Sequence, residues 1–187
     1  ARNYTGKLNE EAFYLSDENL EVPNTTFYFE GGLQSMIRFY NEFQKPIHKN
    51  IFYIEKEAEG VMVEVALQYV DDISVRLVAF ANNIYNSEGG THLTGFKTAL
   101  TRCINNYARK ANVLKEADDN LVGDDCLEGL TAVVSVKMRE IQFEGQTKSK
   151  LGSMEAQSAT SNVFGEAFMA FLEENPDDAR SIIGKGI

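Results

Sequence analysis

A short segment bounded by glycines carries four polar residues that could contact an anion: Gln146, Thr147, Lys148 and Lys150. A Lys ammonium offers a compact positive charge to a phosphate, and Gln and Thr offer uncharged hydrogen-bond donors. These types and this spacing point to recognition of a negatively charged group. Polar loops that contain Lys are also common on protein surfaces, so the segment alone leaves an ordinary solvated loop as an open alternative.

Two regular elements flank this segment and would hold it in place. The apolar run from Leu130 to Met138 predicts a strand before it. Apolar residues at helical spacing predict a long helix after Ser153: Val163, Phe164, Phe168, Phe171 and Leu172. Loops carried by rigid elements often perform binding and catalysis. The segment is therefore the first candidate for a functional site.

The chain before the loop predicts a helix, three strands and a second helix. The first helix runs from Leu33 to Phe43, and the strands cover residues 51–57, 61–70 and 74–81. Asp71-Asp72 predicts a turn, and hence an antiparallel hairpin between the second and third strands. A final helix is predicted to begin at Asn175, as its cap, and Pro176, as its first residue.

The order of these elements indicates the fold class. Strands cluster before the second helix and do not alternate with helices along the whole chain. This order favours an α+β fold, with a mixed or antiparallel sheet of about four strands and helices packed on one face.

Composition excludes several classes of protein. The 187 residues are 43% hydrophobic and 25% charged, which is ordinary for a folded domain. The net charge of −10 argues against tight, non-specific nucleic-acid binding by the chain as a whole. Cys103 and Cys126 form no spacing motif, so we expect free thiols in a reducing cytoplasm. With two histidines, the chain is expected to hold no metal site.

Other polar clusters are weaker candidates. Gly89-Gly90-Thr91-His92 could form an anion-binding nest at a helix start, or a plain strand-to-helix connection capped by Thr91. The acidic residues between 118 and 128 lack the spacing of a calcium loop and fit a solvated loop better. His92 has no Ser or Cys partner in the sequence, so packing is a better interpretation than general-base catalysis.

Four blocks occurring in order resemble one known family: Phe29-Glu30-Gly31-Gly32-Leu33, residues 82–102, Gly123-Asp124-Asp125-Cys126 and Gln146-Thr147-Lys148. Together they resemble the transducer domain of type IIA DNA topoisomerases, the second domain of the DNA gyrase B subunit. The resemblance covers about residues 25–187. It implies residues 31–174 as the transducer domain and residues 175–187 as the start of a helix towards a Toprim domain. Residues 1–30, with Glu11 to Leu15, are similar to the tail of the preceding GHKL-type ATPase domain.

The resemblance also implies a fold and a site. The fold is that of ribosomal protein S5 domain 2, with a left-handed βαβ crossover. In the family the loop reaches into the ATPase domain, where its Gln and Lys contact the γ-phosphate of ATP. Carried over, these residues are Gln146 and Lys148, with Thr147 as a further ATP contact.

Cofactors and partners follow from the same resemblance. The full-length protein would use ATP with Mg²⁺, whereas this chain by itself would hold no cofactor and would be inactive. The implied partners are the gyrase A subunit in an A2B2 assembly, a second B subunit and double-stranded DNA in a nucleoid-associated, cytoplasmic enzyme. Four basic residues are candidates to face DNA: Arg102, Arg109, Lys110 and Lys137. A helix C-terminal charge or a solvated face explains them equally well.

Two alternatives remain at this point. The same blocks occur in topoisomerase IV, and they do not separate it from gyrase. A stand-alone S5-like module that binds RNA or protein is the other, and the net negative charge weighs against RNA.

Overall fold

The structure is a computed structural model that describes residues 2–4, 25–27 and 31–186. Its first two strands are β1 (Arg2–Tyr4) and β2 (Thr25–Phe27), which pair in parallel. The strand predicted from Thr25 onward is confirmed over these three residues. The segment from Glu11 to Leu15, assigned above to the tail of an ATPase domain, lies outside the described residues.

The remaining elements follow in chain order. The strands are β3 (Phe52–Ala58), β4 (Val61–Tyr69), β5 (Arg76–Ala81), β6 (Ile84–Tyr85) and β7 (Leu130–Met138). The helices are α1 (Gly32–Tyr40), α2 (Thr91–Lys110), α3 (Gly123–Leu127), α4 (Met154–Glu174) and α5 (Pro176–Gly186). No helix within these ranges is long and apolar enough to cross a lipid bilayer.

A mixed five-stranded sheet with the order β3-β4-β7-β5-β6 forms the centre of the domain. Strand β7 pairs antiparallel with β4 and parallel with β5, while β3 and β6 pair antiparallel at the two edges. The parallel pair β5 and β7 is connected through α2, as a βαβ crossover requires. The α+β prediction is confirmed, and the left hand of the crossover stays a prediction.

The main core lies between one face of the sheet and the helices α2 and α4. Alternate residues of β4 point into it, including Val63 and Val65. Phe96 of α2 packs on Phe164 of α4 with ring centroids 4.7 Å apart. The helices approach closely at Gly95, where an added Cβ would lie 2.3 Å from the Gln157 carbonyl oxygen. Burial of these apolar surfaces supplies most of the driving force for folding.

Helix α1 lies on the opposite face of the sheet, which corrects the prediction that helices cover one face only. Ile37 of α1 packs with Ala66 of β4 and Val133 of β7 in a second, smaller core. Central strands that are apolar on both faces need cover on both. The sheet also has one strand more than the four predicted, because the two-residue β6 is too short to produce a periodic pattern.

The predicted hairpin between β4 and β5 is wrong, because β7 lies between them. Strand β7 is buried from Leu130 to Val136, so its apolar side chains are best sheltered at the centre of the sheet. Residues 71–75 cross the start of β7 at Leu130 and do not form a two-residue turn. Asp72 stabilises this crossing by accepting hydrogen bonds from the Ile73 and Ser74 backbone amides.

The predicted start of the last helix is confirmed at Pro176. Asp178, in its first turn, accepts hydrogen bonds from the Lys49 and Asn50 backbone amides and from the Asn50 side chain. The Asn175 side chain donates to the Phe171 carbonyl and accepts from the Asn50 side chain. It therefore connects α4 to the segment before β3, whereas the sequence predicted that it caps α5. These bonds fasten α5 to the segment before β3.

Candidate functional site

The polar loop after β7 folds back on itself as a small hairpin. Phe143 pairs antiparallel with Leu151, and the Gly152 backbone amide donates to the Gln142 carbonyl at 2.8 Å. Residues 146–148 form the tip of this hairpin, and all three are exposed. A short paired base therefore presents the Gln-Thr-Lys residues to solvent.

The segment between β6 and α2 supports this hairpin from one side. The Asn86 side-chain amide donates to the Lys148 carbonyl at 2.8 Å, and the Glu88 backbone amide donates to the Ser149 carbonyl at 2.9 Å. Ser149 Oγ also donates to the Glu88 carboxylate at 2.7 Å. Two segments that are 62 residues apart thus meet at the base of the tip.

The side chains at the tip differ in how far they are already engaged. Within residues 31–186, neither the Gln146 carboxamide nor the Lys148 ammonium has a hydrogen-bond or ion-pair partner, and Lys148 Nζ lies 5.9 Å from the Phe143 ring centroid. Thr147 Oγ1 lies 3.2 Å from Ser149 Oγ. Lys150 pairs with Glu144 at 2.9 Å, and this hydrogen bond raises the pKa of Lys150. Gln146 and Lys148 are therefore the donors left for an external anion.

The Gly89-Gly90-Thr91-His92 segment is a strand-to-helix connection, which was the second of the two interpretations of its sequence, and it does not form an anion-binding nest. The Thr91 backbone amide donates to the Leu151 carbonyl, so the chain itself fills the position that an anion would take. The predicted cap is wrong, because the Thr91 hydroxyl donates to the Ser153 carbonyl at 2.6 Å. Gly90 has φ of 139°, and an added Cβ would lie 2.4 Å from the Leu151 backbone.

His92 is fully buried in the first turn of α2, and neither ring nitrogen has a hydrogen-bond partner. Burial disfavours the charged imidazolium and lowers the pKa of His92 from 6.5 to about 4. The ring is thus neutral at physiological pH, and a packing role fits it better than proton transfer.

We expect His92 to contribute to acid sensitivity of the fold. A pKa lower in the folded than in the unfolded state means that stability is intact above pH 6.5 and falls as the pH drops towards 4. From this group the loss between pH 7 and pH 5 is about 2 kcal/mol. Urea unfolding of His92→Leu should show a pH-dependent loss smaller by that amount. An unchanged pH dependence would contradict the assignment.

The four basic residues proposed to face DNA do not form one surface. The Arg102 guanidinium lies against Gly165 of α4. Arg109 is occupied by the loop after α2, donating to the Lys115 and Asp118 carbonyls. Lys110 pairs with Glu173, and Lys137, in register with Met62 of β4, lies on the α1 face of the sheet. Lys110 borders a small groove with Tyr107 and Glu173, whereas Arg102 borders a larger open groove.

That groove, of about 560 Å³, lies between α2 and the segment before α3. Besides Arg102 it is lined by Lys97, Thr101, Asn105 and Asn120. Lys97 was not predicted as a site residue, although Lys97, Thr101 and Asn105 recur every four residues and so mark one polar helix face. Asn86 was not predicted either: it lies within the block of residues 82–102, but its type does not distinguish it from the other turn residues there.

The remaining reactive groups are buried or dispersed. Cys103 and Cys126 are free, as predicted. Both are buried, and burial raises the pKa of Cys126 to about 11. Asp125 accepts a hydrogen bond from the Val122 backbone amide, and Glu128 pairs with Lys185, so the acidic segment has structural roles. Across the described part of the chain, no three His, Cys, Asp or Glu residues are grouped to hold a metal ion.

Comparison with solved structures places this fold in a class. It matches the 43K ATPase domain of Thermus thermophilus gyrase B, solved with an aminocoumarin, with a TM-score of 0.78 and 39% identity over 84% of this chain and 42% of that one. The topoisomerase IV ATP-binding domain of Francisella tularensis shares the fold, with a TM-score of 0.71 and 23% identity over 96% of this chain and 52% of that one. The domain is therefore of the ribosomal protein S5 domain 2-like type found within topoisomerase ATPase segments.

Comparison of sequences identifies the family. The DNA gyrase B family model matches residues 32–187. DNA gyrase B subunits from Bacillus mycoides and Halalkalibacterium halodurans are 51% and 48% identical over 92% of this chain. The subunit from Streptococcus pyogenes is 52% identical over 86% of it. The chain belongs to the DNA gyrase B family, and it spans 43%, 27% and 25% of the length of these three relatives.

Proposed function

We propose that residues 31–174 are the transducer domain of the ATPase subunit of a bacterial DNA gyrase, an ATP-hydrolysing type II topoisomerase. In this proposal, residues 1–30 are the tail of a GHKL-type ATPase domain and residues 175–187 begin the helix that leads to a Toprim domain. Gln146 and Lys148, with Thr147, contact the γ-phosphate of ATP held by that ATPase domain. The observation that carries the proposal is the exposed hairpin tip whose Gln146 and Lys148 donors are unpaired within residues 31–186.

The chemistry of the tip fits a terminal phosphate. Lys148 supplies a full positive charge and Gln146 an uncharged donor, and both act only as donors to a phosphate. The tip therefore binds and orients the nucleotide, while the general base and the ligands for Mg²⁺ come from the ATPase domain. Mg²⁺ would neutralise phosphate charge there. Lys148 would also stabilise the charge that develops as the γ-phosphoryl group leaves.

The same contact can couple the nucleotide to movement. A hydrogen bond to a charged group contributes about 1.5–3 kcal/mol, and it exists with ATP and not with ADP. A ligand shifts a two-state equilibrium only by its differential affinity, so this difference sets the available bias. The hairpin is bonded at its base to the segment before α2, which favours transmission of the contact as a rigid-body rotation.

In this proposal the start of α5 carries that rotation onward. Asp178 fastens α5 to residues 49 and 50 next to β3, so the sheet and this helix would move together. We propose that the motion drives DNA strand passage and negative supercoiling in the complete enzyme. Its partners are the gyrase A subunit in an A2B2 assembly, a second B subunit and double-stranded DNA in the nucleoid-containing cytoplasm. We propose that Arg102, Arg109, Lys110 and Lys137 face DNA, and Lys97 beside Arg102 in the larger groove is a further candidate.

Lysine footprinting tests the sensor role directly. In the intact subunit, a non-hydrolysable ATP analogue is expected to slow acylation of Lys148 by more than about tenfold, whereas ADP leaves it reactive. Lys150, already paired with Glu144, should react equally with either nucleotide and serves as the internal control. The isolated 187 residues should show neither protection nor ATP turnover. Equal protection of Lys148 by ADP, or turnover by the isolated chain, would contradict the proposal.

A further inference from the structure

Asn86 is a buried amide that holds the backbone of the hairpin tip. The residue is 2% exposed, and its Nδ2 donates to the Lys148 carbonyl at 2.8 Å. Its own backbone is fixed as well, because its amide donates to the Ala79 carbonyl and its carbonyl accepts from the Gly89 amide. Asn86 thus connects the end of β5 to the residue that we propose contacts the γ-phosphate.

Lys148 needs such support because of its backbone conformation. Its φ is 55°, in the left-handed region that costs a non-glycine residue about 1–2 kcal/mol. Its own amide makes a long bond of 3.3 Å to the Gly145 carbonyl. An extended backbone at this position would direct the side chain elsewhere. The hydrogen bond from Asn86 to the Lys148 carbonyl fixes the following peptide plane and opposes that change.

Within the described residues, the Asn86 carboxamide makes a single hydrogen bond, the one to the Lys148 carbonyl. Its Oδ1 is buried and has no hydrogen-bond partner, so the side chain forgoes one bond while making the bond to Lys148. A buried unsatisfied acceptor is unfavourable. The reversed orientation would place Oδ1 against the Lys148 carbonyl, where two acceptors repel. Glu88 and Ser149 make two further contacts here: the Glu88 backbone amide donates to the Ser149 carbonyl, and Ser149 Oγ donates to the Glu88 carboxylate. Both hold residue 149, whereas the bond from Asn86 holds the Lys148 carbonyl itself.

We propose that Asn86 is a positioning residue for the nucleotide sensor, acting through the Lys148 carbonyl to aim the Lys148 ammonium. The proposal rests on the function proposed above, in which Lys148 contacts the γ-phosphate. Asn86 itself touches no nucleotide in this scheme. Its loss therefore affects steps that use the γ-phosphate contact and leaves ADP binding intact.

A double-mutant cycle in the intact subunit tests this role. Asn86→Ala should lower kcat for ATP hydrolysis about tenfold, as expected for a displaced catalytic contact, and leave the Kd for ADP unchanged. In a Lys148→Ala background the same substitution should have almost no further effect, because there is no ammonium left to aim. Asn86→Gln, which keeps an amide donor, should recover most of the activity.

The controls separate the possible failures. Asn83→Gly changes an exposed Asn on the neighbouring turn, where φ is 64° and glycine adds no backbone strain, and it should leave kcat as it is. Urea unfolding of each variant identifies any variant that folds poorly. If Asn86→Ala folds poorly, the comparison of Asn86→Gln with the unmodified subunit tests the inference in its place. Equal losses from Asn86→Ala in both backgrounds, or no loss in either while Lys148→Ala is impaired, would overturn the inference. If Lys148→Ala itself has full turnover, the proposed function fails instead.

Discussion

Replacing Lys148 with Ala in the intact subunit is expected to reduce ATP turnover by more than about tenfold while ADP affinity is nearly kept. The ammonium is exposed at the hairpin tip and unpaired within the described residues, so its removal costs the folded domain little. Its proposed partner is the terminal phosphate, which ADP lacks. The loss should therefore fall on kcat and on binding of ATP analogues, measured by steady-state hydrolysis and calorimetry.

Lys150→Ala is the matched control for this experiment. It removes the same functional group two residues away on the same hairpin, but this ammonium already pairs with Glu144. We expect turnover within about twofold of the unmodified subunit, since exposed ion pairs contribute little to stability. Full turnover by Lys148→Ala, or equal defects in both variants, would remove the sensor role from Lys148.

The second large effect concerns the contact between α2 and α4. Gly95→Ala is expected to lower the free energy of unfolding by about 3 kcal/mol, because the new methyl group overlaps a well-packed backbone. The added Cβ would lie 2.3 Å from the Gln157 carbonyl oxygen and 3.1 Å from its carbonyl carbon. Neither atom is the end of a flexible side chain, so the two helices must separate. Urea unfolding at pH 7 measures the change.

Gly184→Ala provides the opposite result from the same chemical change. Gly184 lies on an exposed position of α5, and an added Cβ there meets nothing within 4 Å. Ala is favoured over Gly in a helix by about 1 kcal/mol, so this variant should be slightly more stable. Destabilisation of similar size in both variants would contradict the assignment of the Gly95→Ala loss to the contact between α2 and α4.

Much of the secondary structure can be predicted from the chain because local pattern determines it. The alternation of Val61, Val63 and Val65 predicts β4, the apolar run after Leu130 predicts β7, and Pro176 marks the start of α5. The Gln-Thr-Lys loop is also identifiable from the sequence, since it lies between two strongly patterned elements. Types of residue and their periodicity are properties of the sequence alone.

The order of the strands in the sheet, and the face of the sheet on which each helix packs, were decided by the tertiary structure. The strand order is β4-β7-β5 and not the predicted hairpin, because the apolar strand β7 is best buried at the centre of the sheet. A local turn motif between β4 and β5 carries no information about how apolar a distant strand is. Helix α1 packs on the second face of the sheet because the apolar side chains of Ala66 and Val133 would otherwise be exposed to water there. Asn86 acquired its role in the same way, since its bond to Lys148 joins residues 62 apart. The sequence by itself thus determined which elements form and which loop carries the donors. Long-range packing and hydrogen bonding determined where that loop is held and by which residues, because these interactions exist only once distant segments meet.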